Sequence, residues 1–265
     1  MKIAIIGGGN MGGAIARGLT KGTIFKPSDI TVIDIRQEPL DALKAFAPDI
    51  NVIQNDYEVL KKVDIVILAL KPWMILDAIL DIKYKLDYSR QILISIAAGV
   101  TIDDINTALK KPSESYALPA LFRVIPNTAI MIGESMTLIA TNNAEPDQKD
   151  LLLNIFNEMG KAVLIDEDKL SSGVALTSCG IAYVLRFVRA ATLAGVEMGF
   201  YPKDAQDLVI HTMKGAAELL LQTGASPEDE IDKVTTPGGI TIKGLNEMEA
   251  HGFSNAIIKG IKASK

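Results

Sequence analysis

The sequence has little cysteine, few aromatic residues and no strong charge bias. Its 265 residues include one cysteine, two histidines and 5% aromatic residues, and the formal net charge is −5. A single cysteine excludes an intrachain disulfide and fits a reducing compartment, so we expect a cytoplasmic protein. The acidic balance argues against a general nucleic-acid binder, and we expect no nucleic-acid partner.

The sequence also lacks a long uncharged apolar run. The longest such stretch covers residues 171–185, which is shorter than the ~20 residues that a membrane span needs. The N-terminus passes from Met-Lys-Ile-Ala-Ile-Ile directly into glycines and has no cleavage-site pattern of a signal peptide. We therefore expect no membrane partner, although the mean hydropathy of +0.24 is high for a soluble monomer.

The first part of the chain alternates short apolar runs with stretches of helical periodicity. We predict strands at residues 2–6, 30–35, 51–53, 65–70, 91–96, 121–125, 136–141 and 162–165. Helices are predicted at residues 11–19, 39–46 and 147–159, and another follows a capping-box pattern that begins at Thr101. This alternation is typical of parallel βαβ units with right-handed crossovers.

After residue 165 the strand patterns disappear. We predict helices at residues 178–198, 202–222, 242–249 and 254–262, and a further helix capped by Ser226. Two stretches, 174–198 and 208–221, are apolar on more than one face, and such faces cannot all turn toward one small core. We therefore expect a partner subunit to cover them.

A glycine-rich turn joins the first predicted strand to the first helix. Its residues, Gly7 to Gly12, match the pattern G-x-G-x-x-G in the strand–turn–helix context of dinucleotide-binding proteins. Gly7 would form the tight turn, Gly9 would admit a pyrophosphate and Gly12 would let helix pack on strand. An ordinary strand–helix turn is the alternative. The cofactor-binding residues predicted here are Gly7, Gly9, Asn10, Met11 and Gly12.

These patterns define the expected fold class. We predict an α/β protein with a Rossmann-type dinucleotide-binding domain at residues 1–165, followed by an all-α domain at residues 166–265.

Two residues of opposite charge lie at the end of the second strand. Asp34 could accept hydrogen bonds from an adenosine 2′-hydroxyl, which favours NADH, whereas Arg36 could pair with the 2′-phosphate of NADPH. The sequence leaves the choice between NADPH and NADH open, with a slight preference for NADH tolerance. A solvated loop arginine is the alternative reading of Arg36.

Further segments of the chain resemble the pyrroline-5-carboxylate reductase family, in order and spacing over essentially the whole length. They are Ala69-Leu70-Lys71-Pro72, residues 95–101, Pro126-Asn127-Thr128, Ala182-Tyr183 and, most specifically, Thr-Thr-Pro-Gly-Gly-Ile-Thr-Ile at 235–242. The resemblance implies reduction of the cyclic imine 1-pyrroline-5-carboxylate to L-proline with NADPH or NADH, the last step of proline biosynthesis. It also implies a homodimer through the helical domain, and dimers of this family often assemble into a decamer.

The resemblance extends to individual residues. It places Asn55, Ala69, Lys71, Pro72, Ala97 and Ala98 at the cofactor and assigns the substrate to Thr236, Gly238, Gly239, Ile240 and Thr241. Gly238 and Gly239 would leave N–H groups uncovered before a helix that starts near Thr241, and such a turn suits a carboxylate. The hydroxyl of Thr241 is the expected catalytic group, since it could bond the imine nitrogen and relay a proton. No metal is needed.

The chain departs from the family pattern at four positions. The family usually has serine where this chain has Cys179 and glutamate where it has Ala225. It usually has proline where this chain has Ile181 and Ala129. Two alternatives stay open. A hydroxyacid dehydrogenase of similar fold commonly uses a lysine on the long central helix, but residues 178–198 contain Arg186 and Arg189 and no lysine. The second alternative is a regulatory protein that kept the fold and lost its catalytic activity.

Overall fold

The computed structural model describes residues 1–111 and 118–265. These residues form two compact units, Met1–Ser178 and Cys179–Lys265, and the boundary between the units falls inside a helix. The predicted domain boundary at residue 165 follows the last strand and stays a prediction.

The first unit is built on an eight-stranded sheet with the strand order β3-β2-β1-β4-β5-β6-β7-β8. The strands are β1 (Ile3–Ile6), β2 (Ile30–Asp34), β3 (Asn51–Gln54), β4 (Ile65–Leu68), β5 (Ile92–Ser95), β6 (Ala120–Ile125), β7 (Ser135–Ala140) and β8 (Gly160–Leu164). Every residue of β1, β4 and β5 is buried, which explains their unbroken apolar sequences. The predicted α/β fold with a Rossmann-type sheet is confirmed.

One strand pair differs from the expected parallel arrangement. β7 runs antiparallel to β6, with Val124 opposite Ile139, and then pairs in parallel with β8. The connection over residues 126–134 contains only a short 3-10 turn, Thr128–Ile132. Since a parallel crossover needs a dozen or more residues, this connection returns the chain as an antiparallel neighbour.

Helices cover both faces of the sheet. They are α1 (Asn10–Lys21), α2 (Gln37–Phe46), α3 (Ile75–Ile82), α4 (Ile102–Leu109) and α5 (Pro146–Asn157). One apolar cluster includes Ile15, Phe122 and Phe156, and the cluster on the other face includes Ile79 and Leu93. The predicted capping box is confirmed, because Thr101 and Asp104 exchange hydrogen bonds at the start of α4.

The rest of the chain is helical, as predicted. The helices are α6 (Leu170–Glu197), α7 (Pro202–Thr223), α8 (Pro227–Lys233), α9 (Ile240–Ala250) and α10 (Phe253–Lys262). α6 begins eight residues before the predicted start at 178, because Leu170 packs with Ile125 and Leu138 in a small apolar cluster. Tertiary packing thus extends the helix through a Ser-Ser-Gly segment of weak helix propensity.

The second unit has almost no core of its own. Within Cys179–Lys265, all of which the structure describes, only Thr192, Gly195 and Ala205 are buried. Large apolar side chains such as Leu221 and Ile240 are 78% and 87% exposed. The segment Glu167–Glu197 is also long and apolar enough to cross a membrane by length and composition alone, contrary to the expectation from the uncharged run.

Candidate dinucleotide site and substrate turn

The glycine-rich turn after β1 leaves no room for side chains at two positions. Gly7 has φ +104°, and a Cβ placed on it would lie 2.4 Å from the carbonyl oxygen of Ala69. A Cβ on Gly12 would lie 1.9 Å from the carbonyl oxygen of Gly7. Gly9 differs, since a Cβ there would meet only the Arg36 guanidinium at 3.6 Å. The turn is therefore closed toward the sheet and open at Gly9.

The N-terminus of α1 faces this open side without a capping side chain. Its N-cap residue is Gly9, and its first turn contains no acidic residue. Asn10 is exposed and Met11 half-buried. Unsatisfied amides at a helix N-terminus carry a partial positive charge and favour a phosphate. The turn and the helix start together fit the pyrophosphate of a dinucleotide.

The carboxylate of Asp34 points inward beside the same turn. Its side chain is 7% exposed, Oδ2 accepts from Gly8 N at 2.8 Å, and Oδ1 accepts from Arg36 N at 2.9 Å. Burial raises the pKa of Asp34, but these amides and the Arg36 guanidinium outweigh it and hold the pKa below its usual value. Asp34 is thus an ionised group that ties the glycine turn to the residues after β2.

Two other predicted cofactor residues lie near Asp34. The Arg36 side chain is 61% exposed, and its Nε lies 3.4 Å from Asp34 Oδ1. Asn55 follows β3, has φ +50° and donates its backbone N–H to Asp34 O at 3.2 Å. Asparagine tolerates this left-handed conformation better than most residues. The structure therefore brings Asp34, Arg36 and Asn55 together beside the glycine turn.

The remaining predicted cofactor residues follow β4 and β5 on the other side of β1. Ala69 N donates to Ile6 O at 2.8 Å, and Ile96 N donates to Leu68 O at 3.2 Å. Both segments thus leave the sheet at the carboxyl edge, where open α/β sheets bind ligands. Among the residues beyond these bonds, Ala97 is buried, Pro72 is half-buried, and Lys71 and Ala98 are exposed.

The predicted substrate turn lies in the second unit, between α8 and α9. Gly238 has φ +70°, and the N–H of Gly239 donates to Thr236 O at 3.0 Å. The expectation that the Gly239 amide is uncovered is therefore wrong, because the turn itself uses it. α9 begins at Ile240 and receives no side-chain cap, so the amides of Ile240 and Thr241 lead the helix. Thr241 is exposed in its first turn.

One polar cluster of the first unit has no counterpart among the predicted residues. Arg123 Nη1 lies 2.7 Å from Glu167 Oε1, and the same oxygen accepts from the N–H of Ile102 at 2.7 Å. The Arg123 side chain is 8% exposed. Arg123 and Glu167 are 44 residues apart, so no local pattern could have paired them.

The geometry of the first unit defines a class of protein. A glycine turn, an uncapped helix start and an acid at the end of β2 meet at the switch point between β1 and β4, as in dinucleotide-binding proteins. Across residues 1–111 and 118–265, no group of three or more His, Cys, Asp or Glu side chains could hold a metal ion.

Comparison with known proteins identifies the family. A family model described as NADP oxidoreductase coenzyme F420-dependent matches residues 2–99, and one described as pyrroline-5-carboxylate reductase dimerisation matches residues 167–265. Pyrroline-5-carboxylate reductase 2 of Dictyostelium discoideum is 38% identical over 99% of this chain and 90% of its own length. The chain belongs to the pyrroline-5-carboxylate reductase family, and the resemblance seen in the sequence is confirmed.

Two further relatives agree with this membership. Pyrroline-5-carboxylate reductase 1 of Dictyostelium discoideum is 38% identical over 99% of this chain, which spans 48% of that longer protein. The crystal structure of Plasmodium falciparum pyrroline carboxylate reductase with NADP bound has a TM-score of 0.86 and 26% identity. The similarity covers 100% of this chain and 95% of that one. The expected fold class, a dinucleotide-binding domain followed by a helical dimerisation domain, is confirmed.

Proposed function

We propose that the chain reduces 1-pyrroline-5-carboxylate to L-proline with NADPH or NADH. The observation that carries the proposal is the 38% identity to a reductase of that name over 99% of this chain. That span includes both the glycine turn and the substrate turn. The proposed cofactor residues are Gly7, Gly9, Asn10, Met11, Gly12, Asp34, Arg36, Asn55, Ala69, Lys71, Pro72, Ala97 and Ala98.

The substrate is a small anion with a C=N bond. The reduced nicotinamide, when bound, supplies a hydride to the imine carbon; the π electrons of the C=N bond then move to nitrogen, which takes a proton. The chain's own residues bind the cofactor and the substrate and orient them toward each other. The glycine turn and the start of α1 hold the pyrophosphate, and the amides of Ile240 and Thr241 with the Thr236 hydroxyl hold the substrate carboxylate.

Thr241 is the proposed catalytic residue. Its exposed hydroxyl lies in the first turn of α9, close in sequence to the amides that would bind the carboxylate. A threonine hydroxyl is a weak acid, so its role is to hydrogen-bond the imine nitrogen and relay a proton from water, or to bond an already protonated iminium.

The geometry of Asp34 and Arg36 supports use of NADPH. Both Asp34 oxygens already accept hydrogen bonds from this chain, and the carboxylate is turned inward. The exposed Arg36 guanidinium lies beside the glycine turn and is free to pair with a 2′-phosphate in a bidentate manner. In this arrangement Asp34 orients the Arg36 side chain. Its inward-turned carboxylate repels a 2′-phosphate less strongly than an exposed carboxylate would.

The helical half supports a homodimer. The exposed apolar side chains of α6 and α7, together with the lack of a core in Cys179–Lys265, require a large apolar partner surface, and a second copy of the chain offers one. Assembly of dimers into a decamer and a cytoplasmic location complete the proposal, with no nucleic-acid or membrane partner. The low cysteine content supports the cytoplasmic location, and the acidic charge supports the absence of a nucleic-acid partner.

An assay of the purified full chain tests the proposed reaction. The chain is mixed with pyrroline-5-carboxylate and NADPH or NADH, and both the loss of cofactor absorbance and the formation of proline are measured. We expect turnover, with Thr241→Ala losing far more in kcat than in NADPH affinity and Thr241→Ser recovering much of the rate. No proline with either cofactor would refute the reaction. Turnover of a 3-hydroxyacid in its place would identify the dehydrogenase alternative.

A further inference from the structure

The loop at residues 96–101, between β5 and α4, is fixed at both ends. At its start, Ile96 N donates to Leu68 O at 3.2 Å, and Ala97 N donates to Ser95 Oγ at 3.4 Å. Its middle residues, Ala98 and Gly99, are exposed, and Gly99 has φ +83°. The exposed part of the loop is therefore short, and its position depends on the two anchored ends.

The second end is anchored by Glu167, a residue distant in sequence. Its Oε1 accepts from the first amide of α4, that of Ile102, at 2.7 Å and from Arg123 Nη1 at 2.7 Å. An acidic side chain at this place satisfies an amide that the helix leaves unpaired and complements the partial positive charge of the helix start. Glu167 thus fixes where the loop enters α4.

The arginine of this contact, Arg123, is buried. Its side chain is 8% exposed, and its Nε has no hydrogen-bond partner among the described residues. The charge of Arg123 also acts on the capping box at the start of α4. The pKa of Asp104 there is lowered, first by the hydrogen bonds from Thr101 and also by the charge of Arg123. The Glu167 side chain is 30% exposed, so the pair buries the arginine while leaving one of its donors unsatisfied. Burying a charged group in this way is a poor source of stability, so the contact points to control of position.

The strand order indicates which half of a dinucleotide this loop would meet. The glycine turn follows β1, Asp34 follows β2 on one side, and the loop at 96–101 follows β5 on the other side, beyond β4. A dinucleotide whose pyrophosphate lies at β1 extends its two halves in opposite directions along the carboxyl edge. Because Asp34 and Arg36 lie on the adenosine side, the loop at 96–101 lies on the nicotinamide side.

We infer that Glu167 and Arg123 are positioning residues that hold the loop at 96–101 for the nicotinamide half of the cofactor. The inference rests on the proposed use of a nicotinamide dinucleotide. Neither side chain needs to touch the cofactor, since Glu167 acts through the Ile102 amide and Arg123 acts through Glu167.

Two probes separate this role from a general structural one. Dissociation constants of the full-length protein are measured for NADPH and for adenosine 2′,5′-bisphosphate, which lacks the nicotinamide half. In Glu167→Ala we expect NADPH to bind about tenfold more weakly, as loss of a hydrogen bond to a charged group implies, while the bisphosphate affinity stays unchanged. Glu167→Gln keeps an acceptor for the Ile102 amide and should restore most of the NADPH affinity.

Asp64 provides a matched control at the opposite edge of the sheet. Its carboxylate also accepts from an arginine, Arg90 Nη1 at 2.6 Å, and from a backbone amide, Lys2 N at 2.7 Å. We expect Asp64→Ala to leave both affinities unchanged. If Glu167→Ala does not fold, Glu167→Asp replaces it, because the shorter side chain keeps the charge and withdraws from Ile102.

The inference is overturned if the Glu167 variant weakens both probes equally or weakens neither. Turnover and NADPH binding by the unaltered protein are measured first. Their failure would contradict the proposed function, whereas a normal protein with an insensitive Glu167 variant would contradict only the positioning role.

Discussion

Replacing Gly12 by alanine is expected to damage both the stability of the first unit and its cofactor site. The new Cβ would lie 1.9 Å from Gly7 O and 2.9 Å from the Cβ of Ala69, whereas ordinary contacts begin at 3.4 Å. Neither neighbour is a flexible side-chain end, so α1 must move away from β1 by more than an ångström. Overpacking against rigid neighbours costs about 3 kcal/mol at the upper end of the usual range.

The matched control is Gly9→Ala, the same chemical change three residues earlier. Gly9 has φ −66° and ψ −162°, which alanine adopts without strain, and its Cβ would touch only the Arg36 guanidinium. The stability of this variant should stay within about 1 kcal/mol of wild type. Its methyl group nevertheless projects from the open side of the turn, where the pyrophosphate is proposed, so we expect NADPH affinity to fall.

Thermal unfolding and NADPH titration at one fixed protein concentration measure both effects, because unfolding of an oligomer depends on concentration. For a unit of this size, Gly12→Ala should lower Tm by roughly 6–12 °C, at about 2–4 °C per kcal/mol. Gly9→Ala should lose affinity with little change in Tm. A Gly12→Ala protein with wild-type Tm and affinity would refute the close packing of α1 on β1, and full NADPH affinity in Gly9→Ala would refute the pyrophosphate site.

Three other predictions concern charge and assembly. Arg36→Leu should raise the KM for NADPH by roughly tenfold or more and leave that for NADH nearly unchanged; equal effects on both cofactors would exclude a 2′-phosphate contact. Because folding lowers the pKa of Asp34, its contribution to stability is present above the unfolded pKa of about 4 and disappears as pH falls through the folded value. The Tm difference between wild type and Asp34→Asn should therefore shrink in acid, and a constant difference across pH would contradict it. Sedimentation should show a dimer or a larger assembly of dimers that Leu221→Asp weakens, whereas a stable wild-type monomer would contradict the proposed dimer.

Much of the fold could be predicted because the buried strands carry their own pattern. β4 and β5 are covered on both faces, so their sequences are continuous apolar runs that no surface strand would show. The glycine turn could also be predicted, since Gly7 has a positive φ and Gly12 approaches Gly7 O within one strand–helix unit, although both glycines also face the distant residue Ala69.

Features that depend on distant partners were not predictable. The inward orientation of Asp34 depends on the amide of Gly8, which is remote in sequence. From the sequence alone, Asp34 was expected to accept hydrogen bonds from the adenosine ribose. The start of α6 at Leu170 depends on packing with Ile125 and Leu138. The pairing of Arg123 with Glu167 likewise exists only after β6 and the segment before α6 have come together.

The order of the elements along the chain has a consequence for biosynthesis. β8, which ends at Leu164 and completes the sheet, precedes the whole Cys179–Lys265 unit along the chain. The nucleotide-binding unit can therefore close its two apolar clusters while the helices are still within the ribosome. The helices emerge last and with their apolar sides open. In the proposed dimer, the step most sensitive to dilution is thus the meeting of two finished chains, because association depends on protein concentration.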